Sequence, residues 1–234
     1  MCIRDRIYDC KATRFGWRQF KIVGDEFQLN GKKIQCFGDI QHPFSAYICS
    51  RRFAYAWYQM IKDFGGNAVR PHAQPWPRVY YDLADEMGLM VLDETALFGS
   101  SIRLNLEEDI TWERSHQHLE RLIMRDRNHP SIFMWSIGNE VLEQWTDAKA
   151  DTLSLEEANL VLNFGHSADM LAKDGEMSVN SLLTKKLADM VRKLDATRPV
   201  TAGCNEPNPN NHLFRSGALD ICLLYTSPSP RDRS

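Results

Sequence analysis

Four sets of polar residues in this sequence stand just after short apolar runs: His42, Arg70 with His72, Asp93 with Glu94, and Asn139 with Glu140. Their types suit proton-transfer chemistry. A carboxyl group beside an apolar wall or a second carboxylate has its pKa raised and can deliver a proton near neutral pH. Trp135 and the apolar run before Glu140 supply such a wall. An arginine keeps a neighbouring carboxylate ionised, while an amide or imidazole orients a polar ligand. Each residue also has a plainer use. Arg70 can pair internally with Asp93 or Glu94, Asn139 can serve a turn, and His42 and His72 can be buried structural histidines. Neighbours in a strand point to opposite faces, so only one of Asp93 and Glu94 can look into a shared cleft.

The elements that carry these residues alternate. Arg18–Ile22 and Phe27–Leu29 have period two, and Asn30-Gly31 signals a hairpin returning through Ile34, Cys36 and Gly38. Phe53, Trp57, Met60, Ile61 and Phe64 fall at helical spacing, stopped by Gly65-Gly66. Asn67–Arg70 is a short strand, Val79–Met87 a helix ended by Gly88, and Leu89–Asp93 a strand. Leu119, Leu122 and Ile123 mark a helix broken at Asn128-His129-Pro130, and Ile132–Ile137 is apolar on both faces, as buried parallel strands are. A capping box at Ser154–Glu157 opens a helix reaching about Lys173, and another runs from Leu183 to Leu194. Val200–Gly203 and Leu219–Ile221 read as the last two strands. Such alternation means a parallel sheet with helices outside it. In a (β/α) barrel, the ends of four successive strands delivering His, Arg or carboxylate to one rim mark the functional face.

Composition narrows the partners. The 234 residues are 43% hydrophobic and 25% charged, with a formal net charge of −3, which gives no footprint for nucleic acid. No apolar run approaches the roughly 18–20 residues of a membrane helix, and no apolar leader region follows Met1. The six cysteines form no C-x-x-C pair, so neither zinc nor a disulfide framework is indicated. The polar, Pro/Ser-rich end, Tyr225–Ser234, reads as a non-native or disordered tail, and Arg-Asp-Arg recurs at 4–6 and 231–233.

Seven segments occur in one order: Gly16-Trp-Arg-Gln-Phe20, Phe27-Gln-Leu-Asn-Gly-Lys32, Gly65-Gly-Asn-Ala-Val-Arg70, Tyr81-Asp-Leu-Ala-Asp-Glu-Met-Gly88, Val91-Leu-Asp-Glu94, Arg125-Asp-Arg-Asn-His-Pro130 and Trp135-Ser-Ile-Gly-Asn-Glu140. Over roughly residues 8–221 the chain resembles glycoside hydrolase family 2, which contains β-galactosidases, β-glucuronidases and β-mannosidases. The resemblance implies an α/β fold: a (β/α)8 TIM barrel, truncated here after about six strands and preceded by the last strand of an immunoglobulin-like sandwich. Residues 1–22 would hold the end of that sandwich together with a non-native N-terminus, 23–222 form the partial barrel, its base plugged by the Asn30-Gly31 hairpin, and 223–234 the non-native or disordered tail.

The same resemblance implies that Glu140 is the general acid/base at the end of the fourth barrel strand. Asn139 then meets the sugar 2-hydroxyl, Arg70 supports the nucleophilic carboxylate, and His42, His72 and Asp93 border the substrate. The nucleophile belongs on a seventh strand outside this chain. Glu206, in a Pro/Asn-rich loop, is read as a rim residue. Two departures touch the sugar subsite: His72 follows Arg70 by two residues rather than three, and Asp93-Glu-Thr-Ala96 replaces Asp-Glu-Ala-Asn. The implied activity is that of a retaining glycosidase on a glycoside or oligosaccharide, without cofactor. The residues assign no compartment: cytoplasmic, or periplasmic or secreted if a leader precedes residue 1, are all open. The long stretch from Val141 to about Asn180 is expected to wall the cleft or contact another subunit of a homo-oligomer. A non-catalytic carbohydrate-binding protein is the alternative. A metal-dependent barrel hydrolase fits less well, because Ile40-Gln41-His42 stands where a His-x-His would be needed.

Overall fold

In a computed structural model, residues 10, 12–40, 46–97, 109–139, 179–204, 217–221 and 223–224 are described. The Asn30-Gly31 pair has the backbone that its sequence requires, with φ of 51° and 78° at the two positions. That double left-handed turn matches the twist of a two-residue hairpin. It joins β2 (Glu26–Leu29) to β3 (Lys32–Ile34), and β1 (Phe20–Val23) pairs antiparallel on the other side of β2, with Phe20 opposite Leu29. The Asn30 side chain accepts the Gln19 N–H at 2.8 Å and locks this three-stranded meander. β1 begins within residues 1–22, which the resemblance draws toward a sandwich domain, and it pairs with β2.

The second sheet has six parallel strands in chain order: β4 (Gly38–Asp39), β5 (Ala68–Val69), β6 (Met90–Glu94), β7 (Ile132–Asn139), β8 (Val200–Cys204) and β9 (Leu223–Leu224). Helices α1 (Arg51–Asp63), α2 (Arg78–Met87), α3 (Asp109–Asp126) and α4 (Val179–Leu194) lie between successive strands in the chain. This is the repeating unit of a (β/α) barrel, present as an open arc whose edges among the described residues are β4 and β9. Local chemistry sets the helix limits. Ser50 caps α1 by accepting the Phe53 N–H at 3.2 Å, and Gly88 ends α2 in the left-handed conformation, φ 71°.

Alternation along the strands divides the apolar residues into two cores. Val69, Val91, Ile132, Trp135, Ile137, Val200 and Ala202 face outward onto Tyr58, Leu83, Leu119, Ile123, Leu187 and Val191 of the helices. Ala68, Met90, Leu92, Phe133 and Met134 face inward and are covered by Phe20, with Ile22, Phe27, Leu29 and Ile34 packed alongside. The Phe20 and Phe133 rings meet edge-on with centroids 5.0 Å apart. The meander therefore sits on the inner face near the strand beginnings, leaving the opposite rim to the polar residues.

The final strand differs from expectation. Leu219–Ile221 forms a bend, and the ladder resumes at Leu223–Leu224, opposite Gly203 and Cys204. The Asp220 carboxylate is the reason, since it takes the Val200 N–H at 2.8 Å in place of a backbone carbonyl. The expected helix beginning at Ser154 lies outside the described residues. Among the described residues, no helix is long and apolar enough to cross a membrane.

Candidate active site

β7 carries two register shifts, and they decide which side chains reach the inside. Val91 pairs with Ile132 but Leu92 with Met134, so one extra residue, Phe133, is inserted on β7. Phe133 and Met134 consequently both enter the inner core. Ser136 pairs with Thr201 and Asn139 with Gly203, a second insertion on the same strand. Strict alternation from Ser136 would send Asn139 outward; the bulge returns it to the inner face.

At that rim Arg70, from the end of β5, forms the hub. Its Nε and Nη2 donate to the two Glu94 oxygens at 2.8 and 3.0 Å, and Nη2 also donates to Asn139 Oδ1 at 2.7 Å. Glu94 further accepts the Ser136 hydroxyl at 2.6 Å and the Ala73 N–H at 2.5 Å. Ala73 has φ 55°, a left-handed conformation uncommon for a residue with a side chain, and that turn aims its N–H at the carboxylate. Arg70 is 3% exposed and Glu94 fully buried. With four donors on its two oxygens, Glu94 anchors the arginine and is not available as a base. Asn139 has its oxygen committed to Arg70, which fixes the orientation of its amide.

Asp93 is on the other face, which corrects its assignment to the substrate. The register places Ala68 opposite Met90, so Arg70 shares its face with Leu92 and Glu94, while Val91 and Asp93 point toward the helices. There Asp93 accepts the Tyr81 hydroxyl at 2.6 Å. Burial, then the charge of Asp126, pushes its carboxyl well above the ordinary range, and Tyr81 rises in turn through burial and the nearby Asp93. Arg125 holds Asp126 with Nε at 2.7 Å and lies over the Tyr81 ring. One turn away, burial alone would raise Asp85, but hydrogen bonds from His129 and Ser131 outweigh it and hold the group low.

His72 lies half-buried in the turn just after Arg70. His42, Glu140, Glu206 and residues 141–178 lie outside the described residues. Asn139, the residue before Glu140, is in place at the inner rim. Ser136 and Gly203 also belong to this cluster and were not singled out from sequence. The signal available for Ser136 was its position among apolar neighbours in a strand that ends at Asn139. Among the described residues, no three His, Cys, Asp or Glu side chains converge as a metal site.

An inner rim with Arg, Glu and Asn at the strand ends, above a core closed from below, is the strand-end face of a (β/α) barrel, the face on which that fold builds its sites. Residues 20–221 match the family model described as "Glycosyl hydrolases family 2, TIM barrel domain". The chain is 51% identical over 219 residues to "Beta-galactosidase BoGH2A" of Bacteroides ovatus, covering 91% of this chain and 26% of that protein. It superposes on a glycosyl hydrolase family 2 member from Bacteroides cellulosilyticus with TM-score 0.62 and 25% identity, covering 90% of this chain and 24% of the other. On the Bacteroides uniformis β-glucuronidase 2 covalently bound to cyclophellitol-6-carboxylate aziridine, the TM-score is 0.66 at 22% identity, over 91% of this chain and 23% of that one. The chain belongs to glycoside hydrolase family 2, and it spans about a quarter of the length of each of these three relatives.

Proposed function

We propose that this chain is part of a retaining glycoside hydrolase that cleaves O-glycosidic bonds of β-galactoside or β-glucuronide type. Glu140 acts as general acid/base, and the nucleophilic carboxylate comes from chain outside the six strands. The observation that carries the reading is the Arg70–Asn139 hydrogen bond of 2.7 Å. It fixes the residue before Glu140 on the inner rim, beside a buried cation. The 51% identity to a β-galactosidase supports the substrate class.

The chemistry follows from what such a bond requires. Glu140 would protonate the leaving oxygen while a carboxylate about 5–5.5 Å away attacks the anomeric carbon; the same glutamate then activates water to release the sugar. Asn139 donates to a sugar hydroxyl, with its orientation set by Arg70. His42 and His72 flank the sugar, and residues 141–178 wall the cleft or meet a second subunit. Purified full-length protein should hydrolyse aryl β-galactosides or β-glucuronides with inversion at neither step visible in the product, so that the β-anomer forms first by NMR. No turnover of any aryl β-glycoside, or initial release of the α-anomer, would contradict the proposal.

A further inference from the structure

Gly203 stands on β8 directly opposite Asn139. Its backbone is not in the left-handed region, so conformation does not demand a glycine there. Space does. A Cβ at this position would overlap Arg70 Nη2, lie 2.8 Å from Cζ of the same guanidinium and stand 3.1 Å from Asn139 Oδ1. The overlapped atom is the tip of a long side chain, which elsewhere could swing aside. Here the guanidinium is 3% exposed and tied by hydrogen bonds to Glu94 and Asn139, so moving it breaks the bonds that define the rim.

We infer that Gly203 is a positioning residue for catalysis: its missing side chain is the space into which Arg70 reaches to hold Asn139 beside Glu140. It touches no reacting atom and acts through Arg70 and Asn139. The neighbour Ala202 offers an internal comparison, because it lies on the outward face of the same strand in the helix-side core. The kinetic part of this inference rests on the glycosidase reading, and the stability part does not.

The test is a double-mutant cycle in the full-length protein with Gly203→Ala, Arg70→Ala and both together, with Ala202→Gly as control, read by melting temperature and aryl-glycoside kinetics. Gly203→Ala should lower kcat on the order of 100-fold, the loss expected of a misplaced active-site group, with a smaller change in KM. It should also lower the melting temperature. In the Arg70→Ala background, where the space is vacant, adding Gly203→Ala should lower neither quantity further. Ala202→Gly should lower the melting temperature and keep kcat. If Gly203→Ala alone does not fold, the melting temperatures of Arg70→Ala and the double variant still report the coupling. Additive losses, or Gly203→Ala with unchanged kcat, would overturn the inference. Coupled melting temperatures in a protein that turns over no glycoside would support the seating of Arg70 and count against the glycosidase reading instead.

Discussion

Arg70 and Glu94, from adjacent strands, form a buried two-pronged ion pair, with Nε–Oε2 at 2.8 Å and Nη2–Oε1 at 3.0 Å. The planar guanidinium fork fits the carboxylate edge, and its remaining reach on Nη2 goes to Asn139. One cation thus organises two neighbouring strand ends and the strand that leads to Glu140.

This geometry gives Arg70 a double role. Arg70→Met leaves Glu94 buried without its counter-charge, and breaking one side of a buried pair costs about 3–5 kcal/mol. The full-length variant should therefore lose stability by chemical denaturation as well as kcat. A variant of normal stability would show that Glu94 finds another partner.

Asp93 makes an opposite prediction. Burial, then Asp126, keeps its carboxyl protonated in the folded protein above the ordinary carboxylate pKa of about 4. Between that value and the raised folded one, the folded state binds more protons than the unfolded state, so this group's contribution to stability declines as pH rises. Asp93→Asn preserves an acceptor for Tyr81 and cannot ionise. Its melting temperature should exceed that of the unmodified protein by a margin that grows as pH rises above the ordinary carboxylate pKa of about 4, with kcat/KM unchanged. A constant margin, or a selective loss of substrate affinity, would return Asp93 to the cleft.

Most of the described strands and helices as far as β8 were legible because their apolar runs were long enough to show a period, and turn residues such as Asn30-Gly31 and Gly88 punctuated them; the last strand was not, because Asp220 takes a ladder position with its side chain. The orientation of the site was less so. Met90–Glu94 is buried throughout, so its own pattern cannot tell which of Asp93 and Glu94 faces inward; only the register against Ala68 does. The two bulges on β7 depend on pairing with β6 and β8, and no local residue pattern announces them. Without the second bulge Asn139 would face outward, although its neighbours in sequence read the same. Gly203 was invisible for a related reason, since its importance lies in an arginine 133 positions earlier.

The 234-residue chain in isolation should associate and turn over no aryl glycoside. β4 and β9 each present an unpaired backbone edge among the described residues, which barrel closure would remove. Beside β4, Phe37 is 60% and Phe64 87% exposed, on a surface that would attract other apolar groups. Size-exclusion chromatography should show oligomers or aggregates that bind a hydrophobic dye. A cooperatively melting monomer would mean that the arc is stable without further strands.

If Glu140 is the general acid/base, its loss must be felt according to how much the leaving group needs a proton. In the full-length protein, kcat/KM of Glu140→Gln should be compared with that of the unmodified enzyme on two β-galactosides. One has an alkyl or sugar leaving group and the other an activated nitroaryl group. The first needs protonation of the departing oxygen and the second needs little. Glu140→Gln should lose at least about 100-fold on the poor leaving group, at the lower end of the general acid range, and much less on the nitroaryl glycoside. Equal losses on both substrates, or full activity on the poor one, would contradict the acid/base role.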